Sequence, residues 1–353
     1  MQEGEFRVSE QYQVAIVGAT GAVGQKIAEK LVERNFPYSH IKLLASSRSA
    51  GQTAKVGGHT YTIEEAKPEA FDGVDFAFFS AGGDVSRKLA KEAAARGAVV
   101  IDNTSAFRMD PDTPLVVPEV NPQALHEHNG IIANPNCSTI QMVCVLEPLR
   151  QKAGLKKVIV STYQAVSGSG AAAIDELTKE SHALGLSEPS PQVLPVKSQP
   201  KHYPIAGNLL PQIDVFEENG FTFEEMKMMN ETKKIMSLPD LSIAATCVRV
   251  PVVTGHSESV YLETEQELSL QEIRDVLTAA EGVVLQDDPT AQVYPMPLYA
   301  TDEDPVFVGR IRKDPVEKTG IHLWIVADNL LKGAALNSIQ IAEKMIEQKE
   351  VSS

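Results

Sequence analysis

The sequence has little of what a membrane, secreted or nucleic-acid-binding protein needs. Among its 353 residues, no run approaches the ~18 consecutive apolar residues of a membrane span. The amino-terminal residues 1–11 are polar and acidic and contain no apolar core of a secretory signal. The net charge of -15 lacks the positive excess that general nucleic-acid binding requires. We therefore expect a cytoplasmic protein that binds neither a membrane nor nucleic acid.

Cysteine is also scarce. The three cysteines are an odd number without a CxxC pair, and they fit neither a disulfide framework nor a zinc site. The sequence therefore predicts free thiols in a reducing compartment and no metal site.

What the sequence does contain is a pattern of strands and helices for two domains, as its length suggests. With 43% hydrophobic and 22% charged residues, the composition is that of a globular protein. Strand and helix patterns alternate with short links over residues 13–104, which predicts an α/β fold with a Rossmann-type doubly wound parallel sheet. Strands and helices then cluster, which predicts an α+β second domain. We place the first domain at 1–136 and 330–353 and the second at 137–329.

The individual elements follow from hydrophobic periodicity and from helix start signals. The predicted strands cover residues 13–19, 41–46, 75–80, 98–104, 156–166, 242–253, 257–265 and 321–328. The predicted helices cover residues 25–35, 85–96, 137–154, 170–185, 222–236, 270–280 and 332–348, and residues 184–204 are predicted as a long surface loop. Asp84 is predicted to cap the second helix, and Thr222 with Glu225 and Ser269 with Glu272 are predicted capping boxes.

A glycine-rich stretch, GATGAVG at Gly18–Gly24, lies between the first strand and the first helix. Glycines allow the backbone to approach a pyrophosphate, which then lies at the helix N-terminus. The alternative is a simple strand-to-helix turn. Because strand, loop and helix all fall within the first ~35 residues, the context favours a dinucleotide site.

The end of the second predicted strand indicates which dinucleotide binds. An NAD site usually has an acidic residue about 20 positions beyond the glycines, for the ribose 2′-hydroxyl. This sequence has ASSRSAG there, without an acid and with Arg48 between Ser47 and Ser49. A guanidinium and hydroxyls suit a 2′-phosphate, so NADP(H) is favoured. The alternative is that Arg48 is a solvated surface residue.

Cys137 lies where an apolar strand gives way to a helix, in IIANPNCSTIQMV. A thiol at a helix N-terminus is expected to have a lowered pKa, and its thiolate is a good nucleophile toward an activated carbonyl. The alternative is a small buried residue, which suits Cys144 and Cys247 in their apolar stretches. Polar neighbours at Asn136 and Ser138 favour Cys137 as the nucleophile.

The stretches GATGAVG, SSRSAG, SAGG, DNTSAFRM, NPNCST, YQAVSGSG, EEMKMMNETKKI, RVPVVTGHSES and DNLLKGAALNSIQIAE resemble the aspartate-semialdehyde dehydrogenase family, in the form common among Gram-positive bacteria. They follow the family's order and cover nearly the whole chain. The resemblance implies an NADPH-dependent reductive dephosphorylation of L-aspartyl 4-phosphate to L-aspartate 4-semialdehyde through a thioester on Cys137. That reaction serves lysine, diaminopimelate, methionine and threonine biosynthesis. The resemblance also implies a homodimer formed through the second domain.

The resemblance carries further roles onto individual positions. His256 resembles the acid-base histidine, Gln164 the residue that orients the substrate, and Asn136 a substrate-site residue. Arg249 resembles the arginine for the α-carboxylate, Arg108 and Lys227 the phosphate ligands, and Glu224 the acid that faces the ammonium group. The implied cofactor residues are Gly18, Thr20, Gly21, Ala22, Val23, Arg48, Ser49, Ser167, Gly168 and Asn329. For Glu224 and Lys227, the alternative is an exposed ion pair of little energetic value.

Two other functions compete with this interpretation. Other phosphorylating aldehyde dehydrogenases, such as N-acetyl-glutamyl-phosphate reductase, share the nucleotide fold and the cysteine chemistry. Glu224 favours a free amino acid, because an acylated amine would leave that acid beside a neutral amide. A non-catalytic NADP-binding protein would instead have an inert Cys137.

Overall fold

The computed structural model describes residues 11–186 and 188–352, which form two compact units. The first unit contains the described residues up to Pro114, Gln123–Asn134 and the chain from Ser338 onward. The second unit contains Leu115–Pro122 and Pro135–Asn337. No helix in this described part of the chain is long and apolar enough to cross a membrane.

These boundaries differ from the predicted ones at three places: Leu115–Pro122, residues 135–136 and residues 330–337 lie in the second unit. Glu119 forms an ion pair with Lys332 at 2.7 Å, and the carbonyl of Val116 accepts a hydrogen bond from Asn337 at 3.1 Å. Both partners are far away in sequence, so periodicity could not have indicated this assignment.

A seven-stranded sheet forms the centre of the first unit, in the order β3-β4-β2-β1-β5-β6-β7. Its strands are β1 (Tyr12–Val17), β2 (Tyr38–Ala45), β3 (Thr53–Val56), β4 (His59–Glu65), β5 (Phe76–Phe79), β6 (Val99–Asp102) and β7 (Ile131–Ala133). The β3–β4 pair is antiparallel, and the other neighbours run parallel. Helices α1 (Ala22–Glu33) and α2 (Gly83–Ala95) follow β1 and β5. The strand order reverses beside β1, where sheets of this kind bind ligands at the strands' carboxyl ends.

The central strands of this sheet are apolar on both faces. Residues 14–17 of β1 and 76–79 of β5 are all buried. Covered parallel strands read as continuous apolar runs for this reason, and this is why both strands could be predicted from the sequence.

The second unit is built on a six-stranded sheet in the order β11-β12-β13-β10-β8-β9. Its strands are β8 (Lys157–Gln164), β9 (Ser242–Arg249), β10 (His256–Glu263), β11 (Val283–Leu285), β12 (Val306–Lys313) and β13 (Gly320–Ala327). The helices of this unit are α3 (Cys137–Ala153), α4 (Ala171–Ala183), α5 (Phe223–Ile235), α6 (Leu270–Thr278) and α7 (Pro297–Ala300). The last helix, α8 (Leu336–Ser352), belongs to the first unit from Ser338 onward. The four central strands pair antiparallel and each edge pair is parallel, as expected of an α+β unit. The predicted fold class is confirmed.

Helix starts were predicted with mixed success. Both capping boxes form, with the Thr222 hydroxyl accepting from the Glu225 amide and the Ser269 hydroxyl from the Glu272 amide. The prediction that Asp84 caps α2 is wrong. The helix begins at Gly83 with Gly82 as its N-cap, so Asp84 lies in the first turn.

The described residues of the predicted loop at 184–204 are irregular, as predicted, but they are not wholly a surface segment. Leu194 is fully buried. The Glu176 carboxylate of α4 accepts hydrogen bonds from the amides of Gln192, Val193 and Leu194, at 2.5–3.0 Å. A buried acid therefore holds this loop on its helix.

Candidate active site

Cys137 is the first residue of α3, and Asn136 is its N-cap. The cysteine is half-buried, whereas Cys144 and Cys247 are buried. Its Sγ lies 3.7 Å from the Asn136 Oδ1. The two buried cysteines have raised pKa values because burial disfavours their thiolates, and for Cys144 the pKa rises to about 12. Of the three thiols, only Cys137 is accessible at a helix N-terminus, where a thiolate is stabilised.

A hydrogen-bonded network joins the residue beside the cysteine to α5 and β8. Asn136 Nδ2 donates to Glu224 Oε1 at 2.8 Å, and Gln164 Nε2 donates to the same oxygen at 3.2 Å. Thr162 donates its hydroxyl to Gln164 Oε1 at 2.9 Å. These contacts fix which end of the Gln164 amide carries the oxygen.

Glu224 is ionised within this network although it is 5% exposed. Burial alone would raise its pKa, but Lys227, the hydrogen bonds from Asn136 and Gln164, and Arg249 lower the pKa to about 2. Lys227 Nζ lies 3.2 Å from Glu224 Oε2. Because the carboxylate is buried, this pair is not the exposed ion pair considered as an alternative.

Arg249 is 3% exposed at the end of β9. Its Nη1 donates to the Ala165 carbonyl at 2.7 Å and its Nη2 to the Ser169 hydroxyl at 2.8 Å. Burial lowers its pKa from 12.5, and the negative charges of Glu224 and of ionised Cys137 oppose that change. The guanidinium stays charged.

His256, the first residue of β10, is fully buried. Its Nδ1 accepts a hydrogen bond from the Ala165 amide at 3.0 Å, which places the proton of the neutral ring on Nε2. Burial, with Arg249 adding to it, lowers the pKa of His256 to about 3. Nε2 lies 3.5 Å from Gln164 Nε2. Because both atoms carry hydrogen, this is a contact of two donors, and both can point at one oxygen acceptor.

The loop after β8 closes against these side chains. A Cβ at Gly168 would lie 3.1 Å from Arg249 Nη1 and 3.4 Å from His256 Nε2. Ser167 exchanges hydrogen bonds with Asn329, whose Oδ1 also accepts from the Gly255 amide at 2.8 Å. The second unit thus brings ten of the predicted site residues into one region: Asn136, Cys137, Gln164, Ser167, Gly168, Glu224, Lys227, Arg249, His256 and Asn329.

The first unit holds the other predicted residues. The glycine loop leaves β1 and enters α1, whose N-cap is Gly21. A Cβ at Gly18 would meet the backbone of Ser80 and Ala81 at 2.9 Å, and one at Gly24 would lie 2.3 Å from the Gly18 carbonyl. Only glycine fits these two positions. Thr20 and Gly21 are exposed, and Ala22 and Val23 are half-buried.

The remaining two predicted sites follow β2 and β6. Arg48 is exposed and Ser49 is half-buried, in the turn after β2. Arg108 is 7% exposed, and its Nη2 donates to the Asn103 carbonyl at 2.8 Å. Parallel strands end at the same edge, so both loops lie at the edge that carries the glycine loop.

The chain was compared with known protein families and with known proteins, and two family models match it. Residues 13–128 match the family model "Semialdehyde dehydrogenase, NAD binding domain", and residues 146–332 match "Semialdehyde dehydrogenase, dimerisation domain". An aspartate-semialdehyde dehydrogenase of Bacillus subtilis is 61% identical, over 94% of this chain and 96% of the relative. The chain belongs to the aspartate-semialdehyde dehydrogenase family. A relative in Aquifex aeolicus, with the same name, is 52% identical over 96% of this chain and 98% of its own.

Solved structures of family members have the same fold. Aspartate semialdehyde dehydrogenase II of Vibrio cholerae, complexed with ASA, aligns with a TM-score of 0.90 at 45% identity, covering 96% of this chain and 99% of that one. The Candida albicans enzyme, solved with NADP, aligns with a TM-score of 0.73 at 25% identity, covering 95% and 98%. The predicted family is confirmed. The roles of individual residues remain predictions.

Three further residues of this family member touch the site and were not predicted. Glu231 Oε2 accepts from the Asn136 amide at 2.6 Å, Thr162 anchors Gln164, and Gln141 Nε2 lies 3.4 Å from the His256 carbonyl. One signal was available: Glu231 lies seven positions after Glu224 on the same helix, hence on the same face. Nothing in the sequence distinguishes Thr162 or Gln141 from ordinary core-facing polar residues.

Proposed function

We propose that the chain catalyses the NADPH-dependent reduction of L-aspartyl 4-phosphate to L-aspartate 4-semialdehyde, with release of phosphate. One observation carries this proposal. Cys137 begins a helix within a region that also contains Arg249, Gln164 and a neutral His256. A nucleophilic sulfur, a fixed positive charge and two hydrogen-bond donors are the groups that acyl transfer through a thioester requires.

The chemistry balances with these groups. The Cys137 thiolate attacks the β-carbonyl carbon, the bond to the phosphate oxygen breaks, and phosphate leaves with the electron pair. Bound NADPH supplies the hydride that reduces the resulting thioester. The sulfur then leaves as thiolate and the aldehyde is released. We assign His256 Nε2–H and Gln164 Nε2–H as donors to the oxyanion that forms when the carbonyl is attacked, because the two nitrogens lie 3.5 Å apart.

Substrate charges can be matched within the second unit. Arg249 Nε is a buried donor without a hydrogen-bond partner among the described residues, so it can bind the α-carboxylate together with the neighbouring Nη2. Glu224 is ionised and accepts the α-ammonium group. The family resemblance assigns phosphate binding to Lys227 and Arg108 and substrate contact to Asn136.

The first unit fits NADP(H). Within the described chain, no side chain caps α1 and its first turn contains no acid, so its amides are available to a pyrophosphate. Gly18 and Gly24 allow the loop to pack closely against the neighbouring backbone. The cofactor contacts are Gly18, Thr20, Gly21, Ala22 and Val23, then Arg48 and Ser49 at the 2′-phosphate, and Ser167, Gly168 and Asn329 near the nicotinamide.

We assign a separate role to each of the two domains and propose that the second forms a dimer interface. We assign cofactor binding to residues 1–136 and 330–353, and catalysis and dimerisation to 137–329. The second unit exposes large apolar side chains, among them Phe216, Leu298 and Tyr299, at 57%, 78% and 65%. Such residues suit an interface between two copies, so we propose a homodimer. The free thiols suit the cytoplasm.

The test is an assay of aspartate semialdehyde with NADP and phosphate, run beside NAD and beside N-acetyl-glutamyl semialdehyde. We expect NADP-dependent turnover of the first aldehyde. A Cys137→Ala variant should lose turnover and retain NADP binding, and mass spectrometry of the native protein with a slow semialdehyde analogue should find an adduct at Cys137. An active Cys137→Ala variant would refute covalent catalysis, and preference for the acylated aldehyde would refute the substrate assignment.

A further inference from the structure

A short segment between β13 and α8, residues 328–335, contains a π-helical turn at Leu331–Ala335. Its amides reach carbonyls five residues back: Gly333 donates to Asp328 at 3.2 Å and Ala335 to Leu330 at 3.0 Å. Such turns are rare and occur frequently at functional sites. No individual residue of this turn has been given a role above, and Asn329 lies two positions before it.

Gly333 lies directly against the nucleophile. A Cβ at this position would be 2.7 Å from the Cys137 Cβ, which is too close for two carbon atoms, and 3.2 Å from its Cα, which is tighter than an ordinary contact. Gly333 does not have a positive φ, so its backbone does not require glycine. The close approach of Cys137 is therefore the reason that only glycine fits at 333.

The residue next to this glycine is firmly anchored. Lys332 is 1% exposed, and its ammonium group lies 2.7 Å from both carboxylate oxygens of Glu119 and 3.0 Å from Asn337 Oδ1. A buried ion pair with this geometry allows little movement of either side chain. Gly333 is consequently held in place through its neighbour Lys332.

Asn329, near the start of the same segment, forms a hydrogen bond with the residue that precedes His256. Asn329 Oδ1 accepts from the Gly255 amide at 2.8 Å, and Gly255 is bonded directly to His256. Asn329 also exchanges hydrogen bonds with Ser167, next to the glycine that packs on His256 and Arg249. One segment of eight residues thus contacts both Cys137 and the residue that precedes His256.

We infer that the 328–335 segment is a positioning element for the reaction, in which Gly333 sets the orientation of the Cys137 side chain relative to His256. This inference rests on the proposed function, because it takes Cys137 as the nucleophile. Any side chain at 333 must push Cys137 away or turn its sulfur. A displacement of about 1 Å in such a site lowers the rate about 10²-fold.

The experiment compares Gly333→Ala with native protein in three measurements. We expect kcat to fall about 10²-fold, with NADP affinity unchanged. We also expect the pH profile of Cys137 alkylation by iodoacetamide to shift, because the thiolate has moved relative to Arg249 and the helix N-terminus. A purely structural role for Gly333 would lower stability without altering that profile. The matched control is Ile273→Val, a buried substitution in α6 of the same unit, which should leave both kcat and the profile unchanged.

If Gly333→Ala fails to fold, a double-mutant cycle keeps the inference testable. Changing Cys137 to glycine removes the Cβ that clashes, so Cys137→Gly/Gly333→Ala should fold with a thermal midpoint close to that of Cys137→Gly. Additive losses of stability in the cycle would overturn the contact. An active Gly333→Ala variant with a native alkylation profile would overturn the positioning role. An inactive native protein would instead overturn the proposed function.

Discussion

Replacing Glu224 with glutamine is the substitution for which the structure gives the clearest magnitude. The carboxylate accepts hydrogen bonds from Asn136 and Gln164 and lies 3.2 Å from the Lys227 ammonium. These partners, against the opposing effect of burial, lower its pKa from 4.5 to about 2. That difference corresponds to about 3 kcal/mol in favour of the folded protein with Glu224 ionised.

The pH dependence of this contribution has a definite sign. Because the folded pKa lies below the unfolded one, the stabilisation is fully present above pH 4.5 and is lost as the pH falls toward 2. We expect Glu224→Gln to be less stable than native protein at pH 7, by up to about 3 kcal/mol, in urea unfolding. The gap between the two proteins should narrow as the pH is lowered below 4.5.

The same variant should bind substrate poorly. A charge-assisted hydrogen bond to the α-ammonium group is worth about 1.5–3 kcal/mol, so the KM for the semialdehyde should rise roughly 10- to 100-fold. Glu225→Gln is the matched control, since Glu225 is equally buried but bonds the amides of Thr222 and Cys247. An unchanged KM in Glu224→Gln would refute the ammonium contact, and unchanged stability would refute an ionised Glu224.

Three further predictions concern Arg48, His256 and Glu258. Arg48→Ala should raise the KM for NADP far more than that for NAD in steady-state assays, and equal changes would remove Arg48 from the 2′-phosphate. His256 has a pKa of about 3, so nitrogen NMR should find it neutral with the proton on Nε2 from pH 5 to 8, and an imidazolium signal near pH 6 would contradict this. Burial raises the pKa of Glu258 well above 4.5, so the contribution of the protonated carboxyl to the stability of the folded protein is lost as the pH rises. The stability of Glu258→Gln relative to native protein should therefore increase between pH 5 and pH 8. If the difference in unfolding free energy between the two proteins stayed constant, Glu258 would not titrate in that range.

The sequence was informative where local pattern decides structure. Apolar runs predicted β1 and β5, and the capping boxes predicted the starts of α5 and α6. The irregular strand β12 was missed because a bulge between Gly309 and Arg312 interrupts its pairing, with Arg310 at a positive φ. A bulge of this kind cannot be predicted from local strand propensity.

The candidate site divides in the same way. Cys137 and the glycine loop could be chosen from local chemistry, whereas Gln164, Arg249 and His256 came only from family resemblance. Gly333 lies 196 positions after Cys137, and no periodicity links the two. Contacts of this kind depend on tertiary packing, and they become visible only when the distances are known.

The charge state of the site bears on how the cysteine is activated. In many thiol enzymes an imidazolium stabilises the thiolate. Here Arg249 already supplies a buried positive charge, and together with burial it keeps His256 neutral. In the proposed mechanism, the guanidinium and the N-terminus of α3 stabilise the thiolate. His256 then keeps its Nε2 proton for the oxyanion, so that we assign stabilisation of the sulfur and donation to oxygen to different groups.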